Sequence, residues 1–329
     1  MMHNYIISSM DLLGFFKTSL QKKYQSKKRF FDLLLHWSTY NHFDFEEPIF
    51  QKAFLDFLEQ SAFDMNEKSQ IREHVIKPQK IHTVDTVPLP PGYSFNILTF
   101  NPKDIAKQIT LMDHQMFKEI SPNELLKKNF MNEEKSPTIK KFSERFNLIT
   151  GWIGTLIVSE ANVKTRRKLV CHFIVIAIEL FELNNFAGLL SCFVGLTQIC
   201  VSRLQLTWKG VPSNFLDKWK KIEIVCSPLG NFKNLRAIQD KCNMPLVLSP
   251  TLFIKDLTAN DEIDMYINNN LLNFNKMNQI GKILKNISLA QNSPYDLEHH
   301  PVLYNLLLKI NTEPADVRDK LSLFIEQVH

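Results

Sequence analysis

Residues able to do chemistry are plentiful in this chain but poorly grouped. Ten histidines are scattered along it, and the adjacent His299 and His300 cannot share a helix face, because face-sharing neighbours lie three or four residues apart. Cys171, Cys192, Cys200, Cys226 and Cys242 show no C-x-x-C or finger spacing. An odd, irregularly spaced set argues against a disulfide framework or a structural zinc and fits a reducing compartment. The sequence has no G-x-x-x-x-G-K-[ST] loop, no G-x-S-x-G elbow and no H-E-x-x-H pair, so NTP hydrolysis, serine hydrolysis and zinc proteolysis lose their commonest signatures. Neither a metal nor a cofactor is expected.

The elements around these residues read as helices. Only nine glycines are present in 329 residues, and apolar positions recur mostly at helical spacing, which predicts an all-α chain. Phe30 to Tyr40 and Phe50 to Leu58 are expected as short amphipathic helices. Pro88, Pro90 and Pro91 in VPLPPG then break any helix. We expect a helical N-terminal module over 1–80, a proline-rich connector over 81–96 and a larger domain over 97–329. Within the last, Asn101 to Phe117 begins with Pro102 and Asp104, both suited to a first helical turn. Arg166 to Phe181 is apolar around most of its circumference and must be buried; Phe186 to Ile199 repeats that pattern.

Composition bounds the class. A 44% hydrophobic and 22% charged chain is ordinary for a globular protein, so it is expected to fold throughout. The net charge of +5 is spread out apart from a short run at Lys22, Lys23, Lys27, Lys28 and Arg29. Such a run reads as a solvated face, so no nucleic-acid partner is expected, although a weak pull toward an acidic membrane surface is compatible with it. The most apolar stretch, Leu169 to Phe181, is too short to span a bilayer and contains His172 and Glu179. With no secretory design at the N-terminus, the expected location is cytoplasmic. A bacterial effector delivered into a host cytoplasm would read identically.

One block carries more information than the rest. ELNNFAGLLSCFVGLTQICVSRLQLTW, Glu182 to Trp208, places Leu183, Asn184, Asn185 and Phe186 before an apolar helix, then Gly195-Leu196, Val201-Ser202-Arg203-Leu204 and Thr207-Trp208. This block resembles the centre of Ras-type guanine nucleotide exchange factors. Collinear blocks extend the resemblance from about residue 97 to the C-terminus: Asp104 to Leu126, Ser136 to Ile153, the arginine at Arg166 with Phe173 to Ala177, Ser227 to Asn234, Phe253 to Thr258, Leu271 to Leu284 and Lys320 to Glu326. Leu33 to Gln60 resembles a shortened form of the helical module that commonly precedes the catalytic domain.

The resemblance implies a multi-helix bowl with a protruding helical hairpin that displaces the first switch of a Ras-family GTPase, Ras or Rap, and holds it nucleotide-free. It would catalyse exchange without covalent chemistry. The inserted helix maps to Phe274 through Ala290, with Phe274, Met277, Ile280, Leu284 and Ile287 in one stripe. Phe274, Asn275, Lys276, Lys282, Ile283 and Asn286 are the implied acting residues, with Asn275, Lys276, Lys282 and Asn286 lying off the stripe to meet the GTPase. Arg166, Asn184, Asn185 and Arg203 are implied to brace the hairpin or line the GTPase-facing bowl, Arg203 packing beside Trp208. Capping of the following helix is the structural alternative for the asparagines. Asn286 stands where many relatives have an acid, which leaves open a non-catalytic GTPase-binding module of the same fold.

Overall fold

The computed structural model describes residues 8–21, 27–76, 96–267 and 271–326. Most of the connector expected at 81–96 lies outside them, as do Lys22 and Lys23. The described chain is all-α apart from one two-residue ribbon. It forms two compact units, each assembled from separated stretches: residues 1–83, 120–137 and 254–288 make the first, and 84–119, 138–253 and 289–329 the second.

The first unit opens with helices α1 (Ser9–Gln21), α2 (Lys27–Tyr40), α3 (Pro48–Gln60) and α4 (Met65–Val75). Each begins where the sequence can stop a coil. Pro48 starts α3, and Asp64 and Glu67 close a capping box on α4. Their apolar faces meet around Trp37, which has Phe16, Phe45, Phe50 and Phe54 at centroid distances of 5.6 to 5.9 Å. The buried indole N–H donates to Asp44 Oδ2 at 2.7 Å, so the large ring enters the core without an orphaned donor.

The second unit is built on α5 (Pro102–Lys118), α7 (Pro137–Val158), α8 (Val163–Glu182) and α9 (Phe186–Thr197), while the single turn α6 (Pro122–Leu125) belongs to the first. Short turns α10 (Ile199–Ser202) and α11 (Gln205–Lys209) lead to α12 (Ser213–Cys226) and α13 (Leu229–Gln239). The helix expected to run from Phe186 to Ile199 ends at Thr197; at Gln198 the chain turns extended, φ −57° and ψ 148°, before α10. Helix α8 is the hub, packing against α5, α9, α11 and α12. Its Val170, Phe173, Ile174, Ile176, Ala177 and Leu180 are fully buried, as an all-round apolar helix must be. Trp152 of α7 sits edge-on to Phe173 at 5.6 Å.

The remaining elements are α14 (Pro250–Asp261), the ribbon strands β1 (Tyr266–Ile267) and β2 (Leu271–Leu272), α15 (Phe274–Gln291), α16 (Pro301–Leu308) and α17 (Ala315–Ile325). The strands pair antiparallel, Tyr266 opposite Leu272 and Ile267 opposite Leu271. Among the described residues no helix is long and apolar enough to cross a membrane, and no cluster of metal-ligating side chains occurs.

Candidate functional site

Two helices joined by a ribbon make a hairpin: α14, then β1 and β2, then α15. Its turn is organised by Asn273, whose backbone N–H donates to the Met265 carbonyl at 2.9 Å and whose amide donates to the Asp264 carbonyl at 3.1 Å. The Asn273 Oδ1 accepts the Lys276 N–H, capping α15. Along α15 the stripe resolves cleanly: Ile280, Leu284, Ile287 and Ala290 are buried, Met277 is half-buried, and Phe274 is 77% exposed. Burying three large aliphatics stabilises the limb by about 1.5 to 3 kcal/mol each. What the hairpin offers outward is therefore its tip, where Tyr266, Ile267, Leu271 and Phe274 are all exposed.

The off-stripe residues divide. Asn275, Lys282 and Asn286 are exposed and Ile283 is half-buried. Lys276, expected to face outward, is instead only 4% exposed; its ammonium donates to the Ile263 carbonyl at 2.6 Å and approaches that of Asp261 at 3.5 Å. The carbonyls at the end of α14 have no helical partners of their own, and a lysine at this spacing supplies one. Lys276 is thus a clamp across the two limbs rather than a partner contact.

An acid does occur on the hairpin, on the other limb from Asn286. Glu262 follows α14 with its side chain 72% exposed and pairs with Lys128 at 3.0 Å. That ammonium's hydrogen bond and charge pull its carboxyl below the usual range. The run DLTANDEID holds the signal, an acidic cluster just past a helical segment, but attention to 274–290 alone passes over it.

The segments that flank the hairpin are held by the Leu183–Asn185 turn. Asn184 sits in the left-handed region at φ +53°, which asparagine tolerates. Its amide donates to the Asn243 and Pro245 carbonyls, and its carbonyl accepts the Val247 N–H at 3.0 Å. The Phe186 N–H returns a bond to the Val247 carbonyl, fixing the segment that feeds α14. After α15, the Tyr295 hydroxyl donates to the Leu183 carbonyl at 2.7 Å. One turn therefore anchors the chain on both sides of the hairpin.

Asn185, fully buried, stiffens that turn from within. Its Oδ1 accepts the Gly188 N–H at 2.8 Å, capping α9, while Nδ2 donates to Asp113 Oδ2 at 2.8 Å and to Thr110. The approach is close enough that a Cβ on Gly188 would meet Asn185 Nδ2 at 2.7 Å and Asp113 Oδ2 at 3.0 Å. Burial pushes the Asp113 carboxyl up, opposed by Arg145 and by the Asn185 amide. Neighbouring His114, against the Tyr295 ring at 5.2 Å, is pushed down to about 4, chiefly by burial and then by the Lys118 charge, while the backbone of Ala290 and Ser293 pulls the other way.

The two arginines make their bonds within the second unit. Arg166, expected near the hairpin or on the GTPase-facing bowl, is 2% exposed and donates to Thr207 Oγ1, the Glu160 and Ala161 carbonyls and Glu326 Oε1. A buried guanidinium requires a counter-charge and a filled set of acceptors, and the C-terminal Glu326 provides the charge. Burial alone would raise the Glu326 carboxyl, but hydrogen bonds from Thr207, Arg166 and the Leu206 N–H hold it low. Arg166 therefore clasps the C-terminal end to α8 and α11. Arg203 pairs with Asp319 of α17 at 3.4 Å and donates to the Ile199 carbonyl. Trp208 instead lies 6.0 Å from Trp219 and donates to the Val201 carbonyl.

An all-helical chain with a two-limbed hairpin, the segments flanking it tied to the Leu183–Asn185 turn, defines the class of protein. The family model described as the RasGEF domain matches residues 104–278, and the chain belongs to that family. It is 30% identical over 238 residues to Ras guanine nucleotide exchange factor Q of Dictyostelium discoideum, covering 71% of this chain and 18% of that protein. It is 32% identical over 228 residues to Ras-specific guanine nucleotide-releasing factor 2 of Danio rerio, covering 68% and 18%. The matched region spans less than a fifth of either relative's own length.

Proposed function

We propose that this chain is a guanine nucleotide exchange factor for a Ras-family small GTPase, Ras or Rap, acting through the hairpin tip. The observation that carries this reading is the contrast along the hairpin: a buried stripe on α15, and at the tip exposed Tyr266, Ile267, Leu271 and Phe274, with an exposed Glu262 carboxylate at the end of α14. Contiguous exposed apolar groups rimmed by polar ones mark a protein-binding surface. A hairpin that carries an exposed carboxylate and an apolar tip competes with the nucleotide phosphates by charge and with the switch segments by volume. The Lys128 pair leaves the carboxylate available, because exposed ion pairs hold their partners weakly.

Exchange follows from linkage. Whatever factor nucleotide costs the factor in affinity, the factor costs nucleotide by the same amount. Moving a balance from 99:1 to 1:99 takes about 5.5 kcal/mol, so a few displaced contacts to phosphate suffice and the nucleotide-free GTPase is the form gripped. The N-terminal module over 1–80 supports the catalytic domain over 97–329 in this reading, in a eukaryotic cytoplasm with peripheral recruitment to membranes.

Release of a fluorescent guanine nucleotide from Ras, Rap, Ral and Rho proteins tests the proposal. Acceleration of at least one Ras or Rap protein is expected, falling more than tenfold for Phe274→Ala and for Glu262→Lys; no acceleration across the panel would sink it. A second reading, binding without exchange, is favoured by the amide of Asn286. A complex that forms with the GTPase and ignores added GDP would select it.

A further inference from the structure

Helix α8 presents a graded stripe on the side away from its buried hub. Lys164, Arg167, Lys168, Cys171, His172 and Val175 follow one another at offsets of three, four, seven, eight and eleven residues, and all line one open cavity of about 670 Å³ in the second unit. That volume falls in the range of small-ligand sites. Leu98 and Pro102 at the start of α5 and Phe215 of α12 supply further apolar walls, and no Asp or Glu lines it.

The three cations lack counter-charges. Among the described residues neither Lys164 nor Lys168 forms an ion pair, and Arg167 makes a single hydrogen bond, Nη2 to the Leu206 carbonyl. Its guanidinium lies against Gly210, where any Cβ would collide with it, and its Nε is buried without a hydrogen-bond partner. A fourth cation, Lys218, stands 5.7 Å over the Phe215 ring at the same wall. Like charges gathered without compensation raise the local potential for an anion. Arginine and lysine together match a phosphate, the first by its fork and the second as a point charge.

We infer that this cavity binds the phosphate-bearing headgroup of an acidic phospholipid, the phosphate among Lys164, Arg167 and Lys168 and the glycerol and first acyl carbons against Leu98, Pro102, Val175 and Phe215. A cavity lined by both cations and apolar side chains suits an amphiphile better than a free ion, which would leave the apolar part of the lining unfilled. The site is separate from the hairpin, and it supplies the membrane recruitment that the exchange reading leaves open.

Co-sedimentation of the full chain with phosphatidylcholine vesicles, with and without a few per cent phosphatidylinositol phosphate, tests it. Binding to the acidic vesicles is expected to exceed that to the neutral ones by about tenfold or more. The Lys164→Gln/Lys168→Gln pair should lower partitioning roughly 30-fold, at about one order and a half for two juxtamembrane charges. Val175→Phe, which fills the floor and leaves every charge in place, should lower it as well. Lys220→Gln/Lys221→Gln, an exposed pair on α12 outside the cavity, should change it less than threefold. Equal loss in that control, or no loss in Val175→Phe, would mean spread charge and overturn the site; so would binding of soluble inositol phosphate without binding to vesicles. Nucleotide release measured without vesicles reports on the hairpin alone, so failure of one reading is distinct from failure of the other.

Discussion

Asn185 uses every polar atom of its side chain inside the core, and that makes it costly to change. Asn185→Ala removes a helix cap, worth about 1 kcal/mol, and takes a donor from buried Asp113, worth a further 1 to 3 kcal/mol. Urea unfolding should show a loss of about 2 to 4 kcal/mol, with Asn185→Ser, which keeps the cap, in between. His114 sets a pH dependence through burial rather than through a salt bridge. Its folded value of about 4 lies below the ordinary 6.5, so the unfolded chain binds the proton first and stability falls as pH drops from 6.5 toward 4. The raised Asp113 acts in the other direction over its own range, so the test is a difference. The stability gap between pH 7 and pH 4.5 should shrink by on the order of 2 kcal/mol in His114→Phe; an unchanged gap would contradict the assignment.

At the scale of the element, the hairpin depends on cross-limb bonds more than on propensity. Helix α15 could form from its own stripe, but the turn from Asp261 to Asn273 has only two short strands, and a two-stranded ribbon is marginal by itself. Lys276 and Asn273 hold it through the Ile263, Asp264 and Met265 carbonyls. Lys276→Met should keep the packed stem and lose those bonds. Amide exchange over residues 262–275 is then expected to rise more than tenfold while amides of α8 stay unchanged. Protection retained across that turn would show that the clamp is dispensable.

For the whole molecule, two units with separate cores predict separable unfolding. Phe54 is fully buried in the aromatic cluster around Trp37, and Phe54→Ala in such a setting costs about 3 to 5 kcal/mol. Calorimetry should show the transition of the first unit moving down while that of the second holds its midpoint. One cooperative shift of all the signal would mean that the units unfold as one. Because the hairpin belongs to the first unit, the same variant should also slow nucleotide release.

The sequence by itself settled the helical class, the positions of α2, α3, α5, α8 and α15 and the family, since apolar periodicity, caps and collinear blocks are local features that survive without coordinates. Asn185 as a cap was legible for the same reason. Arg166 was not: its neighbours Thr207 and Glu326 lie 41 and 160 residues away, and nothing in spacing announces a pairing of that span. Lys276 looked solvent-facing because a helix wheel sees one helix, whereas its ammonium is claimed by the carbonyls that end another. Glu262 joined the hairpin only when Asn273 and Lys276 tied the start of α15 to the chain that ends α14. Tertiary structure decided these cases because burial and charge partners are properties of surfaces brought together, and a one-dimensional pattern records only the surface each element brings.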